Sequence, residues 1–440
     1  MRKLLIALAA LLLCLTCAAE EETLYPAMGE NGLYGYINAG AEWVIAPQFD
    51  WAGAFRGDYA PFADYPEGVE VDSPWDADCM GVIDRMGKMV LAPVYSLDSG
   101  MSGEFYGGEH TGIWLVYQSG GEGMGWFDVP SGYFSGLVWG EVWHWISDSS
   151  LIPMTDADTY LCGYARRDTG ELVIPCLYDS FSPAVFREGV AVVKLIDEDG
   201  ETIGDPILIN EQGVAIPLPE GYVLFEESIC EEGLIAVCGP VGYIGYVDTA
   251  GNLVIPEQYL LAYNFCEGYA VVEFAEGDRG YVRPDGSVLA RGEWRPRSFS
   301  NGFGAVVDGD VTRYMRPDGT YAPFTGDGYR FFSQTRGWLD TDPEEYGGLV
   351  HLVNERGEIL TAQPVELPEM APSAFEGGLQ AVCIDGLYGF LAADGSVAIP
   401  CVYSDAENFV GELAYVRLGD RVGYIDRAGN EVFMWDDPIE

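Results

Sequence analysis

Basic residues are scarce in this chain of 440 residues: Lys and Arg number 22 against 70 Asp and Glu, a formal charge of −48. A surface that acidic repels phosphate backbones and anionic lipid and has no basic stripe, which argues against nucleic-acid binding. Histidine is scarcer still, with only His110, His144 and His351, in separate segments. No HExxH and no paired-cysteine spacing accompanies them, so no metal site is expected. A G-x-S-x-G nucleophile elbow is missing, as is any helical window whose start could cradle a phosphate. No catalytic residue and no cofactor can therefore be assigned, and a non-enzyme is the favoured reading. Beyond the first residues, no apolar run is long enough for a membrane helix.

What the chain does have is glycine, proline and aromatic residues. Gly 57 and Pro 25, with 27 Tyr, 20 Phe and 11 Trp, describe an all-β protein with many turns. Apolar residues at 48% are enough for a sizeable core. Arg2 and Lys3 precede an uncharged stretch, Leu4 to Leu15, that is too short to span a bilayer and reads as a signal peptide over 1–19, cut after Ala19. A lipid anchor on Cys17 is the rival reading, but its flanks Leu15 and Thr16 fit lipidation poorly. The expected location is secreted or at the cell envelope. Processing removes two basic residues and takes the charge to −50.

A repeat organises the rest. GYVDTAGNLVIPEQY (245–259) is echoed by GVIDRMGKMVLAPVY (81–95), GYARRDTGELVIPCLYD (163–179), GFLAADGSVAIPCVY (389–403) and GYIDRAGNEVF (423–433). A second half follows many copies, as in FREGVAVV (186–193), NFCEGYAVV (264–272) and AFEGGLQAV (374–382). Asp248 to Gly251 suits a type I turn with a left-handed glycine. The flanking Tyr-Val and Leu-Val-Ile are strand residues, and Pro256 is expected to end pairing. A unit of about 35 residues cannot bury its apolar face alone, so neighbours must stack.

These residues resemble the WG-repeat family of exported bacterial β-repeat proteins, although the leading Trp is replaced by Tyr34, Ile244, Arg279, Tyr388 or Val422. The resemblance implies an all-β array without shared catalytic machinery and brings no site residues. The expected organisation is a signal peptide (1–19), a short linker (20–31) and a β-repeat array (32–440), degenerate around 97–155. About ten to eleven copies of two or three strands are counted. An open, curved β stack is the first architecture expected, with one or two propeller-like rings as the alternative, since so many units exceed the 4–8 blades of a typical propeller.

Two groups of residues remain as candidates. Trp126, Trp139, Trp143 and Trp145 fall in the eroded region, and WGEVWHW (139–145) places three of them on one strand face. Aromatic faces beside polar groups can grip sugars; the competing reading is that they are core. Around the turn 168–170, an unbroken antiparallel register would put Cys162 opposite Cys176, allowing a disulfide. Acidic clusters such as Asp197, Glu198, Asp199 and Glu201 lack EF-hand spacing and read as solvated hairpin tips. The functional expectation is a non-catalytic binding scaffold with a protein or glycan ligand at the cell envelope. A carbohydrate-binding or carbohydrate-active protein using segment 114–145 is the alternative.

Overall fold

The computed structural model describes residues 22–66, 78–98, 112–119, 121, 123–142, 149–179, 185–197, 201–225, 228–326, 328–333, 335–341, 348–368, 375 and 378–437. Its regular elements are antiparallel strands, with no α-helix among the described residues. Strands pair in chain order within nine sheets. The seven-stranded and six-stranded sheets each hold two repeats, so the described residues build eleven small meanders. We number these units 1 to 11, with strands within 25–49, 51–95, 96–134, 151–178, 190–216, 223–259, 261–292, 295–325, 329–354, 379–403 and 405–436. Met89–Asp98 runs on from unit 2 into unit 3, and Tyr178 pairs with Leu195 to join units 4 and 5.

The expected all-β array is thus present, and the eroded stretch keeps its strands. Ile113–Tyr117 and Met124–Asp128 pair because continuous apolar runs buried on both faces, not the turn motif, make these strands. The segment 20–31, expected as a linker, differs: Tyr25–Met28 is the first strand of unit 1, paired with Tyr34–Ile37. Its Tyr-Pro-Ala-Met sequence has no glycine turn before it to announce a strand.

Unit 6 shows how the motif works. At the Asp248 turn, the Gly251 N–H donates to the Asp248 carbonyl at 2.9 Å. The Asp248 carboxylate accepts from the Ala250 and Asn252 N–H groups at 2.9 and 2.8 Å. Gly251 has φ 78°, the left-handed bulge residue expected. Proline, by contrast, does not end the strand: Leu253–Tyr259 continues through Pro256. The register shifts twice, with Val247 opposite Leu253, Tyr246 opposite Ile255 and Ile244 opposite Tyr259. A bulge is where a residue without an N–H can be tolerated.

That bulge explains the glycine beginning the motifs of units 2, 4, 6 and 10. A Cβ on Gly245 would lie 2.5 Å from the Ile255 carbonyl oxygen and 2.9 Å from the Glu257 nitrogen. Gly81, Gly163 and Gly389 meet the equivalent backbone at 2.5 to 2.7 Å. Close approach, not an unusual φ, requires glycine there.

The core lies between units, not within them. Most consecutive pairs share a buried cluster, as Tyr246, Ile255 and Tyr259 of unit 6 do with Phe265, Ala270 and Val272 of unit 7; between units 8 and 9, among the described residues, only half-buried Tyr329 packs on the buried residues of unit 8. The motif tyrosine is the repeated tie. Tyr246 sits edge-on to Phe265 at 5.0 Å and donates its hydroxyl to the Tyr263 carbonyl at 2.7 Å. Tyr36 does the same to Phe55 and Gly53, and Tyr281 to Phe299 and Arg297. The second half of each sequence repeat therefore belongs to the next structural unit. Carboxylates add a further tie: Glu232 accepts the Gly268 N–H, and Glu267 those of Asn301 and Gly302.

Units 11 and 1 make the same kind of interface. Tyr424 packs on Tyr25 at 5.3 Å and donates to the Pro26 carbonyl at 2.8 Å. This matches the bond from Tyr281 to Ala305 at 3.0 Å, because Pro26 faces Tyr36 as Ala305 faces Tyr314. Tyr25, Ala27 and Ile37 share a buried cluster with Leu413 and Tyr424. Of the two arrangements expected, this contact between first and last units belongs to the propeller-like ring.

Candidate functional site

Between units 7 and 8 lies a cavity of about 380 Å³ lined by residues of strands Leu261–Cys266, Tyr269–Ala275, Asp278–Val282 and Arg295–Ser300. Two of these strands are bulged at equivalent places, with register shifts between Ala262 and Phe265 and between Pro296 and Phe299. Bulges re-aim side chains, and Tyr263 and Arg297, both in the bulges, line the cavity. Buried Val271 and Val272 contribute apolar surface. Tyr263 and Leu261, at 59% and 46% exposure, form an apolar side open to water.

Charge is divided unequally around this cavity. Glu273 is 7% exposed; its carboxylate accepts the Gly277 N–H at 2.7 Å and pairs with Arg279 at 3.5 Å. Arg291, nearby, pairs with Asp278 and lies over the Phe274 ring at 4.4 Å. Arg295 and Arg297 are exposed. No ion pair holds either one among the described residues. Two uncommitted guanidiniums beside an apolar wall can hold an anionic group in a fixed orientation.

A signal for this site was present in the sequence. Residues 279–336 hold nine of the 22 basic residues and six of the 70 acidic ones, a local charge of +3 in a chain that is otherwise −51. A whole-chain charge conceals such an island.

The residues singled out from sequence fall elsewhere. Trp126 is fully buried, stacked on Trp139 at 6.2 Å, with its Nε1 donating to the Arg167 carbonyl at 2.7 Å. It offers no face to a ligand, because units 3 and 4 pack over it with Ile152, Met154 and Ala165. Trp139 is half-buried. Trp143 and Trp145 lie outside the described residues, as do His110 and His144. His351 bonds Thr361 at 2.9 Å, and burial lowers its pKa.

Cys162 and Cys176 are free thiols. The recurrent bulge breaks the register assumed for them: Tyr164 faces Ile174, but Cys162 faces Tyr178. Among the described residues, no three His, Cys, Asp or Glu side chains converge as a metal set. No described helix is long and apolar enough to cross a membrane.

A repeat ring whose motif residues serve packing defines a class of β-repeat interaction domain. Residues 34–63, 163–198, 244–275 and 388–421 match the WG containing repeat, and the chain is a WG-repeat protein. No curated protein matches it. Among solved structures, a eukaryotic initiation factor is similar at TM-score 0.39 and 9% identity, over 79% of this chain and 96% of that one. BamB from Moraxella catarrhalis is similar at 0.32 and 14%, over 62% and 89%. The WD40 beta propeller domain of Doa1 is similar at 0.22 and 13%, over 62% and 87%.

Proposed function

We propose that the protein is exported and acts as a non-catalytic binding scaffold at the cell envelope, with a protein or glycan as its ligand. The supporting observation is a division of labour. The motif glycines, tyrosines and turn aspartates followed above are consumed by packing and turns, whereas the side chains of Arg295, Arg297 and Tyr263 are exposed, outside those roles, and line a cavity. Arrays of this kind present wide surfaces on which such side chains vary without cost to the core. Export is supported by the basic start and apolar stretch of residues 1–19.

The test is retention of envelope components by immobilised protein beginning at Glu20. Saturable capture of one component that survives about 0.5 M salt, where screening removes long-range attraction, is the expected result. Capture that falls with salt for every component alike would reduce the reading to charge attraction. Release of sugars from envelope glycans would instead favour the carbohydrate-active alternative.

A further inference from the structure

We infer that the cavity between units 7 and 8 binds a small organic carboxylate carrying an apolar or aromatic body, an assignment that rests on the binding-scaffold reading and names the ligand chemistry of that site. Arg295 and Arg297 have no ion-pair partner among the described residues, in a protein with 70 acidic side chains to choose from. Two exposed guanidiniums left unpaired beside one cavity are available to an outside oxyanion.

The carboxylates of Glu273, which lines the cavity, and of Asp278 are already committed. Glu273 is satisfied by the Gly277 N–H and Arg279, and Asp278 by Arg291. Neither needs Arg295 or Arg297. The local charge of +3 over 279–336 favours an anion at short range, while the −51 elsewhere opposes it at long range. Long-range repulsion scales with ligand charge, so a monoanion is disfavoured about half as much as a dianion such as phosphate.

Shape points the same way. A volume of about 380 Å³ lies at the small end of ligand pockets. Leu261, Tyr263 and Pro296 are lining residues that an apolar body can cover, and Tyr263 supplies a ring at low entropic cost. A carboxylate held by the guanidiniums with a ring against Tyr263 uses both halves of the lining.

The experiment is calorimetric titration of the whole protein beginning at Glu20 with N-acetylphenylalanine, its amide, a hexapeptide ending in phenylalanine, and inorganic phosphate. The acid is expected to bind at least about tenfold more tightly than the amide, and Arg295→Ala with Arg297→Ala to weaken it at least about tenfold. Both arginines are exposed, so an unchanged thermal transition identifies the double variant as folded. Arg297→Lys should retain part of the binding, since it keeps charge but not the planar fork. A hexapeptide tighter than the free acid identifies a chain terminus as the ligand's source, and equal affinity a free small acid.

Equal binding of acid and amide overturns the inference, as do tighter binding of phosphate, a double variant that binds normally, and no binding of the acid at about 10 mM. Self-association lost in the double variant, without carboxylate binding, also overturns it and assigns the arginines to a second copy's acidic face. No envelope partner is present in the titration, so its failure leaves the scaffold test standing.

Discussion

Phenylalanine at both Tyr25 and Tyr424 should unlatch the ring while keeping both aromatic rings in place. Tyr25 donates to the Val410 carbonyl at 2.9 Å and accepts the Glu412 N–H at 3.0 Å. Tyr424 donates to the Pro26 carbonyl at 2.8 Å. The two side chains are 3% and 6% exposed, so the groups left behind are poorly placed to find water. At about 1 kcal/mol for each bond, the double variant loses about 3 kcal/mol across this interface alone. Hydrogen exchange is the informative assay, because stability in a repeat protein is a sum of neighbour terms, not one global number. Amides of Tyr34–Ile37 and Arg421–Ile425 should exchange about a hundredfold faster, while those of Ile244–Asp248, in the interior of the array, change far less. Unchanged exchange in units 1 and 11 would refute the closure. Ends of the unmodified protein that already exchange much faster than unit 6 would support an open stack.

Gly245→Ala should destabilise by at least about 2 kcal/mol, since its Cβ meets unyielding backbone 2.5 Å away. Gly268→Ala, at φ 83° with nothing within 4 Å, should cost only about 1 kcal/mol, so a urea series in which Gly268→Ala is the worse of the two would contradict the close-approach account. Arg167→Leu should cost about 3 kcal/mol, because it removes the cation held 2.5 Å from Asp128, whose side chain is 2% exposed, and leaves that carboxylate to the Ser131 N–H and hydroxyl; thermal unfolding checks this, and a loss under about 1 kcal/mol would mean the pair is wetter than the packing implies. Burial pushes the Cys162 thiol up to about 12, so alkylation at pH 8 should spare it until the chain unfolds. Peptide mapping without reductant should recover Cys162 and Cys176 separately, and a cross-linked peptide would show that the bulge register is wrong.

Legibility followed locality. The Asp248 to Gly251 turn was readable because its hydrogen bonds run within five residues. The bulge at Pro256 was not, since proline in a strand looks like a stop until the partner strand shows which pairs are skipped. Misreading that bulge shifted the register by which Cys162 and Cys176 were brought together. Trp126 was visible as part of an aromatic cluster, but whether a ring covers a ligand or a neighbouring unit depends on what packs above it. The arginine site was recoverable in part, as a change in local charge, while its cavity exists only where two bulged strands of different units meet.

By itself the sequence determined the all-β class, the turn chemistry, the repeat and the approximate number of units. All of these depend on contacts within one copy or on the spacing between copies. Only the tertiary structure decided that the core lies between units, that the two halves of each sequence repeat belong to different units, and that the last unit packs on the first. Closure joins Tyr25 to Val410 and Pro26 to Tyr424 across nearly the whole chain, and no local pattern encodes the small rotation between units that brings those ends together. The scarce basic residues also acquire a place. Arg295 and Arg297, two among 22 basic residues, become a site only because the ring sets Tyr263 of the preceding unit beside them.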